Sequence, residues 1–221
     1  MEENLKSLLL IALAATSFLS AEVIDISKYP TLGDPKAPVQ IVAFLEPKCP
    51  DSKRYHKEVF PKVQSEFIKT NQASYSVVIT SFISNSMPAA IALLCVYHQG
   101  PSKLAPKGTP FFKYLDSIYQ NQPPKNEDWA TIDNLLKFAV QASPAIFQAR
   151  LKKCVEGQEY KKEIEDNTEF GNKLMGRLST PSIYVDGQRV NVKADSISFD
   201  DIKNAVAEAL KAKENTKTEQ K

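Results

Sequence analysis

Two short apolar runs with one helix-length segment between them restrict what this chain can fold into more than any other feature. Val39-Gln40-Ile41-Val42-Ala43-Phe44 is rich in β-branched residues, with Pro38 before it and Pro47 soon after, and it predicts a short buried strand. Tyr75-Ser76-Val77-Val78-Ile79-Thr80 predicts a second. Between them, from Pro50 to about Thr70, Tyr55, Val59, Val63 and Phe67 recur every fourth residue and lay an apolar stripe along one helix face, with Pro61 as a kink. A strand, a helix of that length and another strand form a right-handed βαβ unit with parallel strands.

From Ser86 to about Gly176 the pattern is helical, interrupted by turn residues at Gly100 to Pro110, at Pro123-Pro124 and near Pro144. Strand patterning returns in Ser182-Ile183-Tyr184-Val185 and in Gln188-Arg189-Val190. The Asp186-Gly187 pair between them favours a tight hairpin, so these two strands are antiparallel. Phe199, Ile202, Ala205, Val206, Ala209 and Leu210 make a last helical stripe, opened by Ser198 with Asp201 three residues on as a capping box. The order βαβ, helical block, ββα is that of an α/β thioredoxin fold with an inserted helical domain. Its expected divisions are a first half over 22–85, a helical insertion over 86–164, a second half over 165–212 and a charged, disordered tail over 213–221. A chain of 221 residues, 43% hydrophobic and 24% charged, can bury one such core.

The first 21 residues stand apart. Ser7 to Ala21 is uncharged, mostly apolar and ends in small residues, as in a secretory signal peptide, although Glu2 and Glu3 dilute the positive charge expected before it. The apolar run is shorter than the roughly 20 residues that span a bilayer, which favours cleavage over a membrane anchor or a buried helix. Export, most simply to a periplasm, is therefore expected, with no membrane span left after cleavage. The net charge of +2 offers no field for nucleic acid. In an oxidising compartment three cysteines are most simply one disulfide and one reactive thiol.

Several of these segments resemble one family. Gly33-Asp34-Pro35-Lys36-Ala37-Pro38-Val39, Phe44, Cys49-Pro50 and Lys57-Glu58-Val59-Phe60-Pro61 are similar to the opening of DsbA-like, thioredoxin-fold thiol-disulfide oxidoreductases. Ala89-Ala90 with Cys95 and Gln99-Gly100, and Cys154 followed by Tyr160, resemble that family's helical domain. Thr180-Pro181-Ser182 and Val185-Asp186-Gly187 resemble its closing motif, so the likeness runs from about Ser27 to Leu210. One departure outweighs the agreements: the family's active site is Cys-x-x-Cys, whereas this chain reads Cys49-Pro50-Asp51-Ser52.

At the start of a helix, unpaired backbone N–H groups and the dipole favour a thiolate, which marks Cys49 as the catalytic candidate. Lys48, Lys53 and Arg54 are expected to add positive charge, and Ser52 to donate a hydrogen bond to the sulfur, while Asp51 opposes them. The resemblance implies a cis Thr180–Pro181 bond beside the sulfur, with the Thr180 backbone exposed to bind substrate; an ordinary trans proline starting a strand is the alternative. Cys95 and Cys154 lie in apolar helical stretches of the insertion and form either a structural disulfide or two buried thiols. His56 is expected at the solvated surface, Glu46 as a candidate proton relay, and Phe111, Phe112, Tyr114 and Tyr119 on a packed helix face. His56 and His98 are too far apart in sequence for a metal site, and no resident cofactor is expected.

These residues suggest an exported single-cysteine thiol-disulfide oxidoreductase, a disulfide isomerase or monothiol reductase, acting on exported cysteine-containing proteins with glutathione as a candidate co-substrate. Two other classes remain open. One is a redox-silent peptide-binding protein or chaperone on the same fold; the other is a glutathione-dependent transferase or isomerase.

Overall fold

The computed structural model describes residues 24–100, 108–191 and 196–219, so the signal-peptide expectation for 1–21 lies outside the described residues. A two-residue strand β1 (Thr31–Leu32) precedes β2 (Val39–Leu45), helix α1 (Pro50–Glu58), a short α2 (Phe60–Val63) that runs on into a π-helical turn (Gln64–Ile68), and β3 (Ala73–Ile79). The helix breaks at Val59, just ahead of Pro61, which lacks the N–H needed to continue the ladder. The helical block follows as α3 (Met87–Tyr97), α4 (Thr109–Asn121), α5 (Ile132–Ala142), α6 (Gln148–Glu156) and α7 (Lys161–Met175). Strands β4 (Ser182–Val185) and β5 (Gln188–Arg189) and helix α8 (Phe199–Glu219) complete the described chain.

The five strands lie in the order β1-β3-β2-β4-β5. β2 runs parallel to β3, from Val39 opposite Ala73 to Leu45 opposite Ile79, and antiparallel to β4. Asp186 and Gly187, both at positive φ, turn β4 into β5, a conformation that a tight hairpin demands. Side-chain alternation then divides the core. Ile41, Ala43 and Leu45 of β2, with Tyr75, Val77 and Ile79 of β3, face Tyr55, Val63, Ile202 and the insertion. Val42, Phe44 and Val78 face the other way, against Leu178, Tyr184 and the α7 residues Phe170 and Leu174. At Gly171 a Cβ would fall 2.8 Å from Leu178 Cδ1 and 3.4 Å from Phe44 Cδ1, so only glycine lets α7 lie this close to the sheet.

The α/β thioredoxin fold with its helical insertion is what the sequence order predicted; three details differ. β1, antiparallel to β3 at the sheet edge, is too short to leave a periodic signal. The division expected at 164/165 cuts through α7, a continuous helix whose Ile164 joins the core shared with the insertion while Phe170 and Leu174 pack under the sheet. The tail expected to be disordered from 213 instead continues α8 through Glu219. Lys211 to Glu219 holds neither glycine nor proline to stop the helix, and Lys213 ties it to the body through the Pro38 carbonyl and Asp186.

Candidate functional site

β2 and β4 are neighbours with Phe44 opposite Ser182, so the loop leaving β2 and the loop entering β4 emerge at the same end of the sheet. The first carries Cys49 and the second carries Thr180-Pro181. Cys49 is the extended N-cap residue of α1, with Pro50 as the first helical residue, whose missing N–H costs the helix nothing there. The Thr180–Pro181 bond is cis, and the Cys49 thiol donates to the Thr180 carbonyl at 3.3 Å. Cys49 is 7% exposed, so the reactive candidate is a nearly buried residue. A shallow depression of about 560 Å³ opens beside it, bordered by Phe82, Lys125, Arg177 and Thr180. A second, of about 360 Å³, lies on the far side of the cis peptide, between Asp51, Arg54, Thr180, Pro181 and Arg189.

The groups expected to stabilise a thiolate are arranged differently. Ser52 is fully buried and its hydroxyl accepts from the Glu46 N–H at 3.4 Å; among the described residues it makes no hydrogen bond to the sulfur. One helical turn on from Cys49, its side chain points inward to the loop it closes. Lys48 is equally buried, and its Nζ donates to the carbonyls of Ser84 at 3.0 Å and Glu127 at 2.8 Å. Lys53 donates to the Gln122 carbonyl at 2.9 Å, and Arg54 pairs with Asp51 at 3.0 Å. Lys48 and Lys53 thus direct their ammonium groups to backbone carbonyls of the loops around the site, while Arg54 pairs along its own helix.

That clamp is what sequence reasoning missed. Gln122 donates to the Pro47 carbonyl at 2.8 Å, and the Tyr119 hydroxyl donates to the Glu46 carbonyl at 3.2 Å. Burial, together with the nearby Glu46 and Cys49, pushes the Tyr119 phenol well above its ordinary range, which keeps it a donor. His56 is not at the surface: α4 covers it, leaving it 3% exposed, stacked 5.0 Å from Phe60 and 2.6 Å from Asp116 through Nε2. A periodic reading assigns His56 to the polar flank of α1 and cannot see that a distant helix packs there. Phe111, Phe112, Tyr114 and Tyr119 are buried in the insertion core.

Glu46 sits at the centre of this loop, fully buried, with the Lys48 N–H donating to its Oε2. Burial pushes its carboxyl up from 4.5 to about 7, against hydrogen bonds from Ser86, Lys48 and Cys49 and the Lys48 charge, which pull it down. Away from this site, Cys95 of α3 and Cys154 of α6 are joined in a disulfide. His98 pairs with Glu163 at 3.3 Å and stacks on Tyr160, on an element separate from His56.

The likenesses to known proteins agree with this geometry. The family described as Thioredoxin matches residues 27–208. Disulfide bond formation protein D of Bacillus subtilis (strain 168) is 29% identical over 190 residues, covering 86% of this chain and 80% of that protein. The crystal structure of Chlamydia trachomatis DsbA is 33% identical with a TM-score of 0.73, over 82% of this chain and 91% of that one. Oxidised BdbD from Bacillus subtilis is 27% identical with a TM-score of 0.74, over 86% of this chain and 96% of that one. A family match across most of the chain, together with a DsbA structure above 30% identity, establishes that this chain belongs to the thioredoxin family, among its DsbA-like thiol-disulfide oxidoreductases.

Proposed function

We propose that this protein is an exported thiol-disulfide oxidoreductase that works through Cys49 alone. The observation that carries the reading is the pairing of one helix-capping thiol with the cis Thr180–Pro181 peptide, while a buried serine fills the place of the second thiol. A Cys49 thiolate attacks a disulfide RS–SR′, forming Cys49–S–S–R and releasing R′S⁻. Ser52 has no sulfur to displace R, so a third thiolate R″S⁻ must attack, giving RS–SR″ and restoring the Cys49 thiolate. When R″S⁻ belongs to the same substrate protein the outcome is disulfide isomerisation. When it is glutathione and R is itself a glutathionyl group, the substrate adduct is reduced and GS–SG is the product; a protein disulfide becomes one thiol and one glutathione adduct, which a second turn of the same cycle reduces. Glu46, three residues before Cys49 and titrating near neutrality, is the candidate group to take the thiol proton.

Cysteine-containing exported proteins are the proposed substrates, glutathione is the proposed co-substrate and the periplasm the proposed location. The Cys95–Cys154 disulfide suits an oxidising compartment, and among the described residues no helix is long and apolar enough to cross a membrane.

The test is to incubate protein lacking residues 1–21 with oxidised glutathione and weigh it intact. A gain of one glutathione that reverses with reduced glutathione is expected. Ser52→Cys should convert that stable adduct into an internal disulfide, releasing the glutathione and leaving the protein two hydrogens lighter. No adduct on the unmodified protein would sink the reading and leave the groove as a redox-silent peptide-binding site.

A further inference from the structure

The groove on the far side of the cis peptide holds a cation that the single-thiol cycle has not used. Arg189, on β5, donates from Nη2 to the Ser179 hydroxyl at 2.9 Å and to the Ser182 hydroxyl at 3.0 Å. These two serines bracket Thr180-Pro181, so the guanidinium is held against the peptide whose carbonyl touches the Cys49 thiol. Two fixed hydrogen bonds hold it in place despite its exposure, and they leave the other guanidinium N–H groups free to face the groove. Among the described residues no carboxylate lies within ion-pair distance of Arg189, whereas its neighbour Arg54 is paired with Asp51. Arg54 and Arg189 border this groove against Asp51 and Glu58, while Lys125 and Arg177 border the depression beside Cys49 against Asp51, so the positive excess lies on the Cys49 side and Arg189 is the cation that the groove itself leaves without a carboxylate partner among the described residues.

We propose that Arg189 is the carboxylate-binding residue of a subsite for an acidic small thiol, of which glutathione is the probe. The inference rests on the single-thiol reading above and names what its co-substrate must carry. The groove's volume of about 360 Å³ sits at the small end of the roughly 300–1,000 Å³ typical of ligand pockets, a size suited to a short peptide-like thiol and too small for a folded partner. In the covalent step the Cys49 thiolate attacks GS–SG, the S–S bond breaks, Cys49–S–SG forms and GS⁻ leaves; Arg189 holds a carboxylate of the glutathionyl group that stays. A guanidinium presented beside a planar carboxylate offers two parallel donors, which a lysine does not.

The experiment compares the rate of Cys49 adduct formation with oxidised glutathione and with the neutral bis(2-hydroxyethyl) disulfide, in the unmodified protein, Arg189→Ala and Arg189→Lys. The glutathione-to-neutral rate ratio should fall about fivefold in Arg189→Ala, the worth of one partly exposed charge-assisted pair, and less in Arg189→Lys. Added salt should lower the ratio in the unmodified protein and leave little to lower in Arg189→Ala. Using a ratio removes any general effect of the substitution on the cis-proline loop. A ratio that does not move while both disulfides still react would overturn the Arg189 assignment and spare the single-thiol reading. S-Methylglutathione, which carries both carboxylates and no thiol, separates the converse case: if Cys49 is inert yet this probe shifts the Arg189 side-chain NMR resonance, the subsite stands and the covalent cycle falls. No shift and no reaction removes both.

Discussion

The molecule keeps its sulfur in two places, and burial does not tell them apart. Cys95 and Cys154 are each 2% exposed and Cys49 is 7% exposed. What differs is the company. Cys95 and Cys154 stand on α3 and α6, helices of the insertion that pack together among Leu93, Val96, Leu151 and Val155, so helix packing itself delivers one sulfur to the other. Cys49 stands where a loop from the sheet meets a loop from β4. Its neighbours there are a carbonyl, a buried acid and a serine, none of which can close a bond with it. A thiol in the first setting is consumed by structure; in the second it is left available.

The sharpest way to break this comparison is to remove one sulfur at a time. Cys49→Ala should abolish the glutathione adduct completely and leave the melting temperature close to that of the unmodified protein, both read from one preparation by intact mass and calorimetry. Any adduct that survives would mean that the structural pair is the reactive one. The Cys95→Ala, Cys154→Ala double variant should do the opposite. Opening a closed loop with a sequence separation of 59 releases chain entropy in the unfolded state, and a loop of that size corresponds to roughly 4 kcal/mol of stability. Urea unfolding would measure it, and the rate of Cys49 adduct formation in the still-folded variant should stay within about twofold.

Much of the first setting was legible in the chain and little of the second. Strand and helix periods, the Asp186-Gly187 turn and the Ser198–Asp201 capping box are local patterns, and the fold class follows from their order. The place of Cys49 at a helix start is equally local. Its surroundings are not: Tyr119, Gln122, Glu127 and Thr180 reach the loop from 70 or more residues away, and no spacing rule announces them. The same blindness put His56 in solvent and aimed Lys48 at the sulfur. Both errors have one cause, since the partners that take up these side chains, Asp116 of α4 for His56 and the Ser84 and Glu127 carbonyls for Lys48, come from later in the chain and leave no local signal. Arg189 went unremarked because an arginine in a short exposed strand is ordinary until two serine hydroxyls fix it.

Glu46 links the two lessons, because its acidity comes from the clamp that sequence could not foresee. Burial raises its carboxyl from 4.5 to about 7, so between those values the folded protein holds a proton that the unfolded chain has released. The sign follows: this group's contribution to stability is fully present below about 4.5 and is lost as the pH rises to about 7, where the buried carboxylate becomes charged. Glu46→Gln keeps an oxygen for the Lys48 N–H and cannot ionise. The variant should therefore gain on the unmodified protein as pH rises from 4.5 to 8, by at most about 3 kcal/mol, the free energy of a shift of that size. Taking the difference between the two proteins at each pH cancels every other titrating group. Adduct formation should move the other way, with Glu46→Gln slower near neutral pH because the candidate proton acceptor is gone. A stability gap that stays flat across this range would place Glu46 in a wetter site than its burial implies and remove it from the chemistry of Cys49.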